Sequence, residues 1–400
     1  MNDEIKNSLR AVLSCVTKTL TKVIPKKQNR WIFGSWFGNS ISDNSKALYN
    51  YVEKEHPEIE IIWFVNDPKL YPDMRCRVIK RNSLAGAWLA ATAQVAAFNQ
   101  GYQDFASVNL LGGCFTLQMW HGVAWKKIGH DAKKESKLVR TLYRYIENYS
   151  MYIAPSEEYG KKLQSGFFAD KAKILYVGQP RNEVFFCKGS YSKDHEMISN
   201  MLGISNKKII AYLPTFRDKR KKAFSFFQRD IIDRVTELGK EIGFVIIEKS
   251  HFVDQQRSLG IKRDSSIIYE CPNIDAQVLM AGADMLITDY SSCYFDFVLT
   301  DRPIIHFIYD YDYYKDDDRG LYYSSEEATA GTAVKDYDQL LAAIRKNLDD
   351  PTIEVNKRRR IREVFVPFES ADNSKIIVNE ILKRTTIGGK NEKSGSNRRQ

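Results

Sequence analysis

Short apolar runs rich in β-branched and aromatic residues alternate with amphipathic stretches along most of the chain, the pattern of strand-helix repeats built around parallel sheets. In the first half the runs at 31–35, 59–65, 94–98, 116–120, 151–154 and 174–177 read as strands. Helices fit between them, with Ser42–Asp43 and Pro155–Ser156 placed to cap first turns. A polar break at 187–206, containing Gly189, Ser190 and Ser192, interrupts the alternation. It resumes with strand-like runs at 209–213, 244–248, 267–269, 285–288 and 304–307. The pattern predicts an α/β protein of two doubly wound, Rossmann-like domains, 29–186 and 187–384, facing a central cleft. Such sheets gather ligand chemistry in the loops at the carboxyl ends of their strands.

The first 28 residues have a different rhythm. Ile5, Leu9, Val12, Leu13, Val16, Leu20, Val23 and Ile24 recur at helical spacing, with Lys6, Arg10, Lys18 and Lys22 assigned to the polar side. Two readings stay open: a basic amphipathic helix lying on an anionic membrane surface, or a helix docked on its own domain. The apolar runs are too short for a membrane span or a signal-peptide core, so a cytoplasmic protein is expected. The tail at 385–400, rich in Gly, Ser, Asn and Lys, is expected to be disordered.

Length and composition agree with two domains. The chain has 400 residues, 43% of them hydrophobic, enough for two cores. Its net charge of +10 matters through its location. Residues 1–30 carry seven Lys/Arg against two acids, residues 383–400 six against one, and the body between is formally neutral. A neutral body with basic ends suits an anionic surface and gives no groove that follows a nucleic-acid backbone, so no nucleic-acid partner is expected. The six cysteines form no C-x-x-C pair, which argues for free thiols in a reducing compartment and against a disulfide framework or zinc site.

Four predicted strand ends carry polar groups that a core would not select. In W-H-G-V-A-W-K-K-I-G at 120–129, His121 can serve as a general base, Gly122 permits close backbone approach, and Lys126 or Lys127 can meet an anion. The alternative for His121 is a structural hydrogen-bonding role. In Y-L-P-T-F-R-D at 212–218, Pro214, Thr215 and Arg217 leave a strand end, and the arginine fork suits a phosphate. I-I-E-K-S-H at 246–251 places Lys249, Ser250 and His251 after a buried strand. L-I-T-D-Y-S-S-C-Y-F-D-F at 286–297 ends a strand at Asp289, opens a helix at Ser291–Ser292 whose free N–H groups can hold a phosphate, and sets Asp296 within it. The serines could equally be an ordinary N-cap, and Asp296 could pair with a neighbouring cation. The aspartate-rich stretch at 310–319 lacks the spacing of a calcium loop and reads as a charged loop.

These segments, in order, resemble the motifs of the CDP-glycerol glycerophosphotransferases, the teichoic acid primases and polymerases and their capsule-polymerase relatives. The likeness runs through H-G with K-K-I-G, P-T-F-R, K-x-H, T-D-Y-S-S-x-x-F-D-F, and R-P-I-I-H-F-x-Y-D with R-G-L-Y-Y. W-I-F-G-S-W-F-G-N-S-I-S-D-N-S-K at 31–46 and G-Q-P-R-N at 178–182, which contains Arg181, extend it over about residues 30 to 380. The resemblance implies a GT-B architecture, no cofactor or obligatory metal, and peripheral attachment to the cytoplasmic face of the membrane. It implies transfer of glycerol phosphate from CDP-glycerol to a lipid-linked or growing teichoic acid or capsular polymer, with release of CMP. His121 would be the base. His251, Ser291 and Ser292 would hold the donor diphosphate, and Thr215, Arg217 and Asp296 would complete the pocket. Val123-Ala124-Trp125 departs from the family's usual Thr-Pro-Leu and removes a hydroxyl, which leaves glycerol against ribitol open. The alternatives are a CDP-ribitol transferase, a GT-B glycosyltransferase and a non-catalytic scaffold for polyanions on the membrane surface.

Overall fold

The computed structural model describes residues 3–132, 136–215, 224–226, 229–249, 262–263, 266–271, 273–311 and 320–395. The chain divides into two compact units. Unit 1 comprises 1–121, 129–183 and 368–400; unit 2 comprises 122–128 and 184–367.

Unit 1 holds seven strands: β1 (Lys27–Gly34), β2 (Glu60–Val65), β3 (Arg77–Lys80), β4 (Ala93–Phe98), β5 (Phe115–Gln118), β6 (Met151–Ala154) and β7 (Ile174–Tyr176). All pair parallel, in the order β3-β2-β1-β4-β5-β6-β7. Chain order reverses between β1 and β4, which places a switch point at their carboxyl ends. The inward residues Trp31, Phe33, Trp63, Val95, Ala97 and Leu117 form a core shared with Leu48 and Val52 of α2 (Asp43–Glu55).

Unit 2 repeats the plan with β8 (Lys208–Leu213), β9 (Phe244–Glu248), β10 (Lys262–Arg263), β11 (Ile268–Glu270), β12 (Met285–Thr288), β13 (Ile304–Phe307) and β14 (Thr332–Val334). The order is β10-β11-β9-β8-β12-β13-β14, parallel except for the β10/β11 pair, and the switch point lies between β8 and β12. Every residue of β9, β12 and β13 is buried, as expected of strands covered on both faces.

Three sequence expectations need correction. The domain boundaries are not contiguous in sequence. The helix Asn373–Gly395 returns to unit 1, where Ile377, Val378 and Ile381 pack into the Trp31/Phe33/Trp63 core, so residues 368–384 do not belong with the second sheet. Conversely, 122–128 leave the first unit, because Val123 and Trp125 are buried within the second. That last helix also continues past Arg384, where disorder is expected: extending a formed helix costs little, one new hydrogen bond per residue fixed.

The third concerns α1 (Asp3–Thr21). It docks on α4 (Lys137–Ile146), but with its amphipathicity reversed. Ala11, Ser14, Lys18 and Thr21 face inward, and Leu9, Val12, Leu13, Val16 and Leu20 face solvent. At 100° per residue the two sets lie on opposite sides of the helix. The polar inward side is satisfied by hydrogen bonds. Lys18 Nζ donates to the carbonyls of Tyr145 (2.8 Å), Ile146 (2.9 Å) and Asn148 (3.3 Å), the C-terminal end of α4, where a cation also meets the favourable end of the helix dipole. Thr21 Oγ1 accepts from Gly112 N (3.0 Å), and a Cβ on Gly112 would stand 1.9 Å from the Lys18 carbonyl, so only glycine admits the helix so closely. Lys18 is therefore a buried tether and not part of a solvated face.

Candidate functional site

At the switch point of unit 1, one buried carboxylate organises two loops. Asp104 accepts from the backbone N–H groups of Phe37 (2.7 Å), Asn99 (3.0 Å) and Gln100 (2.9 Å), tying the loop after β1 to the end of β4. Burial pushes its pKa up to about 6, against the opposing pull of those three donors. The two loops deliver the neighbours of His121. Gln100 Nε2 lies 3.1 Å from His121 Nδ1, and the Trp36 ring sits 5.0 Å from the imidazole, centroid to centroid. Trp120 packs on the other side at 4.2 Å.

The peptide carrying His121 is held from behind. Asn44 Nδ2 donates to the Trp120 carbonyl (3.1 Å), and Arg181 Nη1 donates both to the His121 carbonyl (2.9 Å) and to Asp43 Oδ1 (2.7 Å). Arg181, expected at a substrate, thus positions the histidine through its backbone. Gly122 follows with φ of 138°, a conformation a side chain would oppose.

From Gly122 the chain enters unit 2. Trp125 is buried against Tyr290, Tyr294 and His306, with Nε1 donating to the Tyr323 carbonyl (2.9 Å). Lys126 forms an antiparallel bridge with Leu321, and Lys127 N donates to the Gly320 carbonyl (3.1 Å). Two motifs almost 200 residues apart, K-K-I-G and G-L-Y-Y, are therefore paired backbone to backbone. The departing triplet Val123-Ala124-Trp125 is buried packing within this unit.

At the switch point of unit 2, Asp289 closes the gap between β8 and β12. Its Oδ1 accepts from Thr215 N (2.8 Å) and Tyr290 N (2.6 Å), and the residue is 1% exposed. Its carbonyl meets His306 Nδ1 (3.3 Å), while His306 Nε2 accepts from Ala330 N (3.1 Å), which fixes the proton on Nδ1. Burial lowers the His306 pKa to about 4, so the ring is neutral. Pro214 and the buried Thr215 follow β8, and Lys249 follows β9 with its pKa lowered by burial.

Ser291 and Ser292 precede α9 (Cys293–Phe297). Ser292 has helical φ and ψ and its side chain caps nothing, so the N-cap explanation is not realised. Asp296 is buried and accepts from Gln277 Nε2 (3.3 Å) on α8 (Ala276–Gly282), a placement facing a neighbouring helix. Arg217, Ser250, His251 and most of 310–319 lie outside the described residues.

Sequence reasoning overlooked Asp104, Gln100, Trp36, Asn44 and Glu248. The first four act through loop geometry; the resemblance at 31–46 covers Trp36 and Asn44, and Asp104 and Gln100 fall in none of the motifs. Glu248, the last residue of β9, is 5% exposed and accepts from Phe226 N (3.0 Å), and burial raises its pKa to about 7. This shift opposes the usual carboxylate behaviour. Ionising Glu248 in the folded state costs stability that is absent below its unfolded pKa near 4.5 and complete above pH 7. Relative to wild type, Glu248→Gln is therefore expected to gain about 3 kcal/mol as pH rises from 4.5 to 7, at 1.36 kcal/mol per pH unit. Urea unfolding of both proteins across that range measures it; a difference independent of pH would contradict the assignment.

Comparison with known proteins fits this geometry. The family described as CDP-Glycerol:Poly(glycerophosphate) glycerophosphotransferase matches residues 16–383. The chain is 26% identical to a teichoic acid poly(glycerol phosphate) polymerase of Bacillus spizizenii, over 96% of this chain and all of that protein. It is 27% identical to a teichoic acid glycerol-phosphate transferase of Staphylococcus aureus, over 95% of this chain and all of that one. Among solved structures, the wall teichoic acid polymerase TagF superposes with a TM-score of 0.78 at 24% identity, covering 96% of this chain and 98% of the other, which shows the shared fold.

Proposed function

This chain belongs to the CDP-glycerol:poly(glycerophosphate) glycerophosphotransferase family, and on that premise we propose that it transfers glycerol phosphate from CDP-glycerol to a hydroxyl of a growing teichoic acid polymer, releasing CMP. The observation that carries the reading is the position of the family's ordered motifs: they fall at the carboxyl ends of β5, β8, β9 and β12, two of them at the switch point of unit 2.

In the proposed reaction His121 takes the proton of the acceptor hydroxyl. The freed oxygen lone pair attacks the donor's β-phosphorus, and the bond to the CMP oxygen breaks with its electrons leaving on CMP. Phosphoryl transfer depends mainly on positioning and charge stabilisation. We assign the donor diphosphate to Thr215, Lys249, Ser291 and Ser292, with Arg217 and His251 following from the family resemblance and Ser250 from its place in the sequence after the strand at 244–248. An anionic diphosphate beside Lys249 would restore the charge that burial disfavours. Gly122, which lets the backbone approach a ligand, and Lys126, available to an anionic substrate, keep their proposed places at the substrate.

The membrane belongs to the same proposal. Leu9, Val12, Leu13, Val16 and Leu20 make the solvent face of α1 apolar, and exposed Leu138 of α4 and Leu84 and Trp88 of α3 (Leu84–Ala91) add to the apolar surface of the unit. An exposed apolar helix face followed by the exposed Lys22 suits an anionic bilayer interface.

A donor panel tests the chemistry. CDP-glycerol, CDP-ribitol and a UDP-sugar are each supplied with a polymer primer, and nucleotide release is followed. CMP from CDP-glycerol at least tenfold faster than from CDP-ribitol is expected. Release of UMP or UDP alone would refute the assignment.

A further inference from the structure

Three aromatic residues around His121 have left-handed backbone: Trp36 (φ 48°), Phe37 (φ 55°) and Trp120 (φ 55°). Bulky side chains seldom adopt that region, so the surrounding structure must hold them there. For Trp36 and Phe37 the holding group is on the page. The Phe37 N–H donates to Asp104 Oδ1 (2.7 Å), in the middle of the strained turn.

The other oxygen of the same carboxylate serves a second loop. Asp104 Oδ2 accepts from Asn99 N (3.0 Å) and Gln100 N (2.9 Å). One buried side chain thus clamps the turn that carries Trp36 to the residue whose carboxamide meets His121 Nδ1. Only a carboxylate fits this position, because donors approach both of its oxygens and an asparagine would turn an NH2 group toward one set of them.

The backbone is shaped around that clamp. Gly34 ends β1, and a Cβ there would stand 2.7 Å from Asp104 Cβ, so the strand end gives way to let the carboxylate in. The helical turn Tyr102–Asp104 is fixed on both flanks: Tyr102 N donates to Tyr149 Oη (3.3 Å), and Arg81 Nε donates to the Gln103 carbonyl (2.7 Å). Joining β1 to β4 does not require this arrangement. Ordinary backbone angles at 36 and 37 would join the strands as well, and would carry the Trp36 ring away from the imidazole. The strain is therefore accounted for by where Trp36 ends up, 5.0 Å from His121.

We propose that Asp104 is a positioning residue for the base. Through the Phe37 N–H it holds Trp36 against the His121 ring, and through the Gln100 N–H it holds the carboxamide at Nδ1. The imidazole then has one orientation when the acceptor hydroxyl arrives. The proposal rests on the reading of His121 as that base and adds the residue that sets its geometry. Asp104 itself touches no substrate.

Asp104→Asn, Asp104→Ala and Trp36→Leu are compared in the full chain, with CDP-glycerol and a polymer primer. In Asp104→Ala, kcat for CMP release should fall about 100-fold, the loss that accompanies a misplacement of about 1 Å, with donor KM nearly constant. Asp104→Asn should fall between that variant and wild type, and it carries every comparison if Asp104→Ala does not fold. In a His121→Ala background, Asp104→Asn should cost nothing further, since the ring it positions is gone. Equal losses in the two backgrounds would mean general damage to the fold and overturn the proposal.

A second measurement reads the geometry without the reaction. The His121 Cε1–H resonance, identified by its absence from His121→Ala, is displaced by the ring currents of the two indoles. It should move toward the position of an exposed histidine in Trp36→Leu and in Asp104→Asn alike. An unmoved resonance in folded Asp104→Asn overturns the positioning, and a moved resonance with wild-type kcat overturns its part in the reaction. Normal CMP release from His121→Ala would instead remove the base reading by itself, and the resonance would still decide whether Asp104 sets the imidazole.

Discussion

Replacing His121 by alanine should lower the rate of CMP release from CDP-glycerol by roughly two to four powers of ten, the range for loss of a positioned general base. Stability should change little, because the side chain is only part-buried and its named neighbours are the edges of a carboxamide and two indoles. The geometry sharpens the expectation. For Nε2 to accept a proton, Nδ1 must carry one; Gln100 Nε2, a donor, stands 3.1 Å from Nδ1, so the base-competent tautomer requires that carboxamide to turn over and present its oxygen. Arg181 and Asn44 hold the backbone on either side of the Trp120–His121 peptide, so the imidazole is presented by a braced loop. The loss should therefore appear in kcat at saturating CDP-glycerol, with KM for the donor nearly constant, since the donor is assigned to residues of the other unit. Near-normal CMP release from a folded His121→Ala protein, or a defect confined to donor KM, would remove the base from the mechanism.

The sequence makes some of this legible and hides the rest for physical reasons. Buried central strands announce themselves: 244–248, 285–288 and 304–307 are read to the residue because a strand covered on both faces is a continuous apolar run. Three of the four edge strands do not. β3 (R-V-I-K), β10 and β14 are short, and those beside solvent alternate too briefly to stand out. Periodicity gives the stripe on α1 but not its direction. Which side faces inward is decided by what waits there, and the carbonyl end of α4 takes Lys18 and leaves the leucines outside. The return of Ile377, Val378 and Ile381 to the first core is likewise a long-range fact, since an apolar helix face does not name its partner. At the site, His121, Ser291 and Ser292 are visible as polar groups at strand ends. Asp104 is not, because its work is done on three backbone N–H groups. Asp296 is placed on the right helix, and only the structure shows it turned toward Gln277.

Asp289 separates a scaffold from a ligand-binding carboxylate in a single pair of variants. Its Oδ1 joins the end of β8 to the start of the Ser291–Ser292 turn, and its carbonyl reaches His306 on β13, so one residue ties together three neighbouring strands of unit 2. Asp289→Ala would leave the N–H groups of Thr215 and Tyr290 buried without that acceptor. At 1–3 kcal/mol for each donor so stranded, the variant should lose about 3 kcal/mol, enough to shift the denaturation midpoint clearly. Asp289→Asn keeps an oxygen in the same place and should cost about 1 kcal/mol or less. If the aspartate's role is this bracing, the asparagine variant should also retain donor affinity within a fewfold, because Thr215 and the serine turn stay where β8 and β12 put them. A stable Asp289→Ala protein would refute the bracing, whereas a stable Asp289→Asn protein that no longer binds CDP-glycerol would show that the carboxylate charge itself serves the donor.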